Sequence, residues 1–431
     1  MMLSLLPLIV VNLLTAAHFL RAGDLPMVLV FLLAPLLLGI PRRTSLRIFQ
    51  SMLAGAVVIW VDTGVTVVRQ RWLEQTPWLR AAVILTAVAG FALWCLIRSN
   101  RPQLVARYKK EEHTVPALVA FYLSALLLTL FQFRLPLQLL LVERFFPGWG
   151  VLEVFGLALY AALATELILG MRHALWRQRL WLLFSAIFFT QFVLGLTVDP
   201  RFLQTGDLHI PFPALIVAGP LYRGGGFFMP LLFLSTVILV GPAWCSYLCY
   251  IGSWDGAMAS LHSGRRKKYA YSLWVRGGAL VITLAGALLF RSLMPPLAIL
   301  LATLGFFIAL SLGVMVYSAR TGSMVHCSSW CPIGFLGNII GKINPARVVI
   351  NAGCTGCQKC ISSCPYQALS KERILQRKPG LSCTLCGDCL SSCSHGALQY
   401  RLFGLSPAAS KNVFAVMVMV LHTVFIAVAR I

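Results

Sequence analysis

The sequence predicts a polytopic α-helical membrane protein that carries one small α+β domain outside the bilayer. Three observations predict it. The 431 residues are 59% apolar and only 11% charged, with a mean hydropathy of +0.82, too little charge for the surface of a soluble chain this long. Apolar runs of about 17 to 23 residues recur along most of it, each enough to cross a roughly 30 Å hydrocarbon core as helix. One stretch, Asn338 to Ser410, breaks that rhythm: it is polar, glycine-rich and holds eight of the 13 cysteines.

The runs place about eleven spans, near 3–20, 25–40, 46–68, 79–97, 115–133, 150–170, 180–198, 227–243, 272–290, 297–317 and 412–429. The first run, Leu3–Leu20, lacks a basic flank and leads through "RAGDLP" into a second run, so it reads as an uncleaved span rather than a signal peptide. The loops "PRRTSLR", "RSNRPQLVARYKK", "MRHALWRQR" and "GRRKK" fall on one face with fifteen Lys/Arg, against nine in the short loops opposite. The positive-inside bias makes the richer face cytoplasmic and puts the N-terminus inside. Anionic headgroups then account for the net charge of +23, and nucleic acid is excluded as a partner. The chain divides into N-terminal helices (1–200), a transmembrane core (201–337), the polar domain (338–410) and a last span (411–431).

Within the polar domain, "CTGCQKCISSCP" spaces Cys354, Cys357, Cys360 and Cys364 as C-x2-C-x2-C-x3-C-P, and "CTLCGDCLSSCS" repeats the spacing with Cys383, Cys386, Cys389 and Cys393. Three thiolates two residues apart wrap three corners of an iron–sulfur cube, and the fourth cysteine of each run ligates the other cube. Glycines such as Gly356 and Gly387 permit the tight backbone. Cluster one is thus assigned to Cys354, Cys357, Cys360 and Cys393, and cluster two to Cys383, Cys386, Cys389 and Cys364. Zinc is the competing reading, but zinc motifs seldom carry triple C-x2-C-x2-C steps. Reduced thiols place the domain on the cytoplasmic side. The β-favouring flanks "ARVVIN" and "ALQYRL" complete the pattern of a two-cluster bacterial ferredoxin-like α+β domain. Ser394 stands where the first run has Pro365, with His395 next; a hydroxyl near a cluster sulfur raises its potential, and a neutral change is the bland alternative. The domain carries eight Lys/Arg against two acids, Glu372 and Asp388, a surface drawn to anionic headgroups or to an acidic redox partner.

Four more cysteines fall in two copies of one phrase, "WCSYLCYIG" from Trp244 and "HCSSWCPIG" from His326. Two spans lie between the copies, so both sit on the same membrane face. Read as helix, the i, i+4 spacing puts Cys245 with Cys249 and Cys327 with Cys331 on shared faces, with Gly252 and Gly334 ending the turns. Three readings stand: a third iron–sulfur or tetrathiolate centre, a dithiol at each phrase, or packing of buried cysteines.

These phrases followed by two C-x2-C-x2-C-x3-C runs resemble the membrane ferredoxin-type proteins of the NapH and NosR kind. The loop "TGDLHIPFPALIVAGPLYRGG" (Thr205–Gly225) resembles the one before the first phrase in that family. The resemblance covers roughly Thr205–Leu405. It implies a bacterial inner-membrane protein that moves electrons between the quinone pool and a periplasmic or cytoplasmic redox partner. Tyr250 departs from the family's proline after the first pair, and the chain shows neither a C-x-x-C-H haem motif nor the flavin-binding domain of the NosR type.

Asp62 and Glu166 lie within predicted spans, joined by Gln132 and Gln191. Such residues line a quinone pocket or proton path, or pair with a neighbouring span. His209 and Arg223, in an outward loop, are candidates for anchoring a quinol head group or a periplasmic partner. His18 and His422, near span ends, would have to face each other to hold haem b, and Cys95 reads as packing. No substrate-converting site is visible. Electron transfer through two [4Fe–4S] clusters is the leading function. A maturation factor supplying electrons or thiols to a metalloenzyme, and a redox-driven ion pump using the intramembrane acids, are the competitors.

Overall fold

The computed structural model describes residues 5–109, 112–135, 138–203, 212–262, 264, 266–267, 273–293 and 296–428. Two compact units divide the chain, Met1–Leu163 and Ala164–Ile431. This boundary lies earlier than the expected end of the N-terminal helices near residue 200. Among the described residues, eight helices are long and apolar enough to cross a membrane. The runs expected at 3–20 and 25–40 hold shorter apolar helices, Leu6–Ala22 and Leu25–Gly39, and the run expected at 297–317 lies within the helix Pro296–Thr321.

The first unit contains α1 (Leu6–Ala22), α2 (Leu25–Leu33), α3 (Arg43–Leu73), α4 (Leu79–Ser99), α5 (Pro102–Val105), α6 (Thr114–Arg134), α7 (Leu141–Phe145) and most of α8 (Gly150–Leu169). The start of α2 follows from its sequence: the Asp24 carboxylate accepts the Met27 N–H at 3.2 Å, with Pro26 in the first turn. At Pro35 the segment tightens into a 3-10 helix, Ala34–Gly39. α3 and α4 form an antiparallel pair. Its register is held where the Gln50 amide donates to Ser99 O at 2.9 Å and Arg47 donates to both Gln50 and Asn100. The core is apolar, built from Leu8, Leu46, Phe49, Leu53 and Ala92, with Cys95 fully buried among them.

The second unit begins with α9 (His173–Thr197), α10 (Leu215–Arg223), α11 (Phe228–Val240), α12 (Trp244–Tyr247) and α13 (Tyr250–Ser260). α14 (Leu273–Leu293), α15 (Pro296–Thr321) and α16 (Pro332–Ile340) follow. The polar domain adds β1 (Arg347–Ile350), α17 (Lys359–Ser363), α18 (Lys371–Leu375), α19 (Asp388–Ser391) and β2 (Leu398–Arg401). α20 (Pro407–Val428) is the last helix. β1 and β2 pair antiparallel, with Arg347 opposite Arg401 and Ile350 opposite Leu398.

Helix ends on one side of this unit grip the polar domain. At the start of α9, Arg177 makes a bidentate pair with Asp388, Nε to Oδ1 at 2.9 Å and a terminal nitrogen to Oδ2 at 2.8 Å. Both side chains are buried. The same guanidinium donates to Ser246 O and lies over the Trp181 ring. The end of α11 is met by Asn344, whose amide donates to Ile238 O and Leu239 O. Beyond α15, the Met324 N–H donates to Pro365 O at 2.9 Å. At the start of α20, Ser410 accepts from Leu402 N–H, and Phe414 stacks on Tyr400 at 4.6 Å. α9 and α20 begin at this side while α11 and α15 end there, as antiparallel neighbours must.

Removing one partner of a buried bidentate pair leaves a charge with nothing to offset its desolvation. Arg177→Met should therefore cost about 3–5 kcal/mol, with Arg177→Met/Asp388→Leu recovering most of the loss. Urea unfolding of the polar domain in detergent measures this; equal losses in the single and double variants would contradict it.

Candidate metal centres

The two cysteine phrases fold alike, and differently from the single helical turn their spacing suggests. In each, a helical turn closes when the second cysteine's N–H reaches back five residues, Cys249 to Trp244 O at 3.0 Å and Cys331 to His326 O at 2.9 Å. The chain then opens to an extended conformation at that cysteine (φ −79°, ψ 112° at Cys249; φ −65°, ψ 117° at Cys331), which caps the next helix. The i, i+4 helical face expected for each pair is thus corrected: the second thiol sits at a helix N-terminus.

The glycines do not end the turn; they belong to the helix that follows. Gly252 N–H donates to Cys249 Sγ at 3.4 Å and Gly334 N–H to Cys331 Sγ at 3.3 Å. A Cβ on either would stand 3.1 Å from a carbonyl, that of Cys245 or Cys327 respectively. On Gly252 it would also strike the Trp181 ring at 2.7 Å. At Gly252 the ring must shift to admit a Cβ, and at Gly334 the neighbours would have to give by a few tenths of an ångström. Amide N–H groups and the helix dipole at each second cysteine favour its thiolate form.

Cys245, Cys249, Cys327 and Cys331 all line one cavity. Its remaining wall includes Trp244 from a span end, Asn338 from α16, and Tyr366, Ser382 and Thr384 from the polar domain. Arg276, fully buried in the first turn of α14, adds a cation and donates to Cys327 O at 3.4 Å. Trp244 Nε1, Asn338 Oδ1 and Thr384 Oγ1 are buried here with no hydrogen-bond partner among the described residues. Burial pushes the Cys249 and Cys327 thiols well up, reinforced by the charge of Cys331 at the first and of Asp255 at the second. Cys331 goes the other way: burial would raise it, but His326, the Gly334 N–H and Arg276 outweigh that. Asp255, fully buried in α13, fixes the loop by accepting the Cys327 N–H at 3.0 Å.

A second cavity is lined by Cys364, Cys383, Cys386 and Cys389, three cysteines of one run and the last of the other. It matches the first in size, about 340 Å³ each counting space open to solvent. Tyr366 and Thr384 line both cavities, so one wall separates them. Tyr366 is fully buried and donates to Cys245 O at 3.4 Å, while Ser246 donates to Thr384 O at 3.0 Å. Cys386 is held from the membrane side, its carbonyl accepting from Tyr247 at 2.9 Å and lying 2.7 Å from His173 Nε2. Gly387, at φ +85°, passes so near Tyr400 and His173 that any Cβ would collide with both.

The remaining cassette cysteines form the exposed end. Cys354 and Cys393 are half-buried and Cys357 is exposed. Cys360 is buried, and its thiol is raised by burial and by the nearby charges of Cys354, Cys393 and Cys357. A single zinc ion, with Zn–S bonds of about 2.3 Å, would draw its ligands onto one point. Among the described residues no three His, Cys, Asp or Glu side chains converge that way; the thiols line walls around a space. That arrangement, with unpartnered Trp244 and Thr384 groups able to donate to cluster sulfurs, suits a polynuclear iron–sulfur group.

Other candidates are not drawn to these centres. Asp62 is exposed on α3, Glu166 is buried in α8, and Arg223 is exposed at the end of α10. His209 lies outside the described residues. Gln132 packs at the end of α6 against Gly150, and Gln191 is half-buried in α9. His18 lies against Trp60, with ring centres 5.2 Å apart, in the first unit. His422 belongs to the second, its Nδ1 3.0 Å from Tyr247 O and its ring against Phe184. Sequence reasoning missed Arg276, Arg177, Trp244, Tyr366 and Thr384. Only Arg276 carried a signal, as a cation inside the apolar run 272–290; the rule applied there to acids applies equally to bases.

Two segments of the chain, residues 222–269 and 301–349, match the Fer4_5 family, described as a 4Fe-4S binding domain. They enclose the two C-x3-C phrases and end before Cys354. No curated protein and no solved structure matched the chain. The two matches point to an iron–sulfur electron-transfer protein, and the apolar helices to a membrane one.

In the metal-free protein the thiols should separate by reactivity. Burial pushes Cys383 up to about 12. At Cys393 burial is outweighed by the Ala397, Leu398, His395 and Gly396 N–H groups, and the thiol falls below its ordinary value. Thiolate is the reactive form, so iodoacetamide at neutral pH should label Cys393 and exposed Cys357 well before Cys383. Raising the pH by one unit should speed Cys383 about tenfold, since it stays far below its pKa, and Cys393 by less. Mass spectrometry of the labelled peptides reads both; uniform labelling would contradict the arrangement.

Proposed function

We propose that this protein is an inner-membrane electron carrier with three [4Fe–4S] centres in a row. The first is held by Cys354, Cys357, Cys360 and Cys393, the second by Cys383, Cys386, Cys389 and Cys364, and the third by Cys245, Cys249, Cys327 and Cys331. The observation that carries this reading is the pair of equal four-cysteine cavities sharing the wall of Tyr366 and Thr384. The family matches over the two phrases support iron–sulfur binding at the third centre.

Bound clusters would supply reversible one-electron chemistry at these sites. The chain's own residues do the rest. Twelve thiolates hold the groups, and Arg276 sets positive charge beside the third site, favouring its reduced state. Trp244 Nε1–H and the Thr384 hydroxyl are free to donate toward sulfur. The buried walls exclude water from the two inner sites, while Cys357 leaves the outer one open. On the bilayer side, Tyr250 directly follows Cys249 and stacks on Phe188 at 4.1 Å, with Phe189 and Trp254 against them. This aromatic surface gives a quinone ring a place to meet the third centre. Eleven spans, with the basic loops and the polar domain in the cytoplasm, complete the reading, which agrees with the NapH and NosR resemblance.

Iron analysis and EPR of anaerobically purified protein test it. Three cubanes predict about twelve irons per chain, and Cys245→Ser/Cys327→Ser should lose about four of them with one signal. Arg276→Met should lower the potential of that same signal, on the order of tens of millivolts, and leave the others in place. About eight irons, unchanged in the double variant, would remove the third centre. A reporter fused after Ser410 should read cytoplasmic; a periplasmic readout would overturn the orientation.

A further inference from the structure

We infer that the cluster-one end of the polar domain is the docking face for a soluble, acidic one-electron carrier protein. The inference rests on the proposed clusters and goes beyond them in naming where the chain exchanges electrons with a partner, and with what kind. Three observations carry it.

The first is the gradient of exposure. The inner cavities are lined mainly by buried cysteines, whereas Cys357 is exposed and Cys354 and Cys393 are half-buried. Electron tunnelling falls exponentially with distance, so a partner must approach at this edge. The second is charge. All eight Lys/Arg between Asn338 and Ser410 are exposed, Lys359, Arg373 and Arg377 among them. Of the two acids, Asp388 is consumed by its buried pair with Arg177, which leaves Glu372 as the only exposed carboxylate in that segment. The ion pair that binds the domain to α9 thus also strips its surface of negative charge. A field of one sign steers an oppositely charged protein to its face.

The third observation separates a carrier from the lipid surface. The Arg347–Arg401 end of the two strands runs into the start of α20 through Leu402 and Ser410. The Ile350–Leu398 end runs instead into Asn351 and Ala397, next to Cys354 and Cys393. Four strand residues at about 3.3 Å each set cluster one roughly 10 Å beyond the α20 junction. Lys359, directly before Cys360, lies at this far end. The transfer is a bare electron exchange: the reduced carrier loses one electron, cluster one gains it, and no bond forms or breaks.

The test uses the full chain in nanodiscs of neutral phosphatidylcholine, with a reduced acidic [2Fe–2S] ferredoxin as probe and stopped-flow absorbance as readout. Cluster reduction should be second order and fall about tenfold from low to high salt. Arg373→Glu/Arg377→Glu, both at exposed positions, and Lys359→Glu should each slow it severalfold, with EPR signals and reduction by dithionite unchanged. A rate indifferent to salt and to both charge reversals would overturn the inference. So would charge reversals that alter only the response to added anionic lipid, since the basic face would then belong to the membrane. Absence of the cluster-one signal in wild type would instead overturn the cluster assignment itself, and is read separately by iron content.

Discussion

A guanidinium and a carboxylate, both taken out of water, meet between Arg177 on a membrane helix and Asp388 in the polar domain. Each ion alone would lose several kcal/mol of hydration, and only their mutual contact with well-aligned hydrogen bonds offsets it. That condition ties the domain to the start of α9 in one register. Cys386 then lands against Tyr247 and His173, and Thr384 against Ser246. The wall between the two inner cavities exists because of that register. The pair is therefore a positional constraint more than a source of net stability.

The repeated phrases solve a different problem. A membrane helix that breaks beside buried thiols must leave its last carbonyls and the next helix's first N–H groups near them. Here both phrases close with a reach of five residues, open at the second cysteine, and begin a new helix on that cysteine's sulfur. The orphan amides of the new helix become hydrogen bonds to sulfur, and its dipole points its positive end at the thiolate. Two copies, facing one cavity, supply two such ends.

Legibility in the sequence followed the range of the forces involved. The apolar runs were readable because burial acts on each stretch separately, and the cassette spacing because each run sets its four cysteines within eleven residues. The β-favouring flanks form the two paired strands. The start of α9 was set at about residue 180 because Arg177 and Arg179 look like loop charges; the helix begins at His173, since Arg177 finds its partner more than two hundred residues away. The shape of the C-x3-C phrases was misread for a similar reason. Spacing alone favours a continuous turn, whereas the break is held by Trp181 on Cys249 O and by the crowding at Gly252. Tyr366, Thr384 and Trp244 have no pattern of their own and become visible only once the cavities are assembled.

The shared wall also sets an order of construction. The membrane-side cavity takes its four cysteines from segments ending at Cys331, yet Tyr366, Ser382 and Thr384, which close it, are synthesised later and belong to a domain that folds around its own thiols. The span-end site is thus open while the ribosome is still making the polar domain and becomes sealed only when that domain seats against α9 and α12. Access to the four thiols from that side ends with this closure, so the chain's biogenesis has a window, and the seating of the polar domain is the event that shuts it.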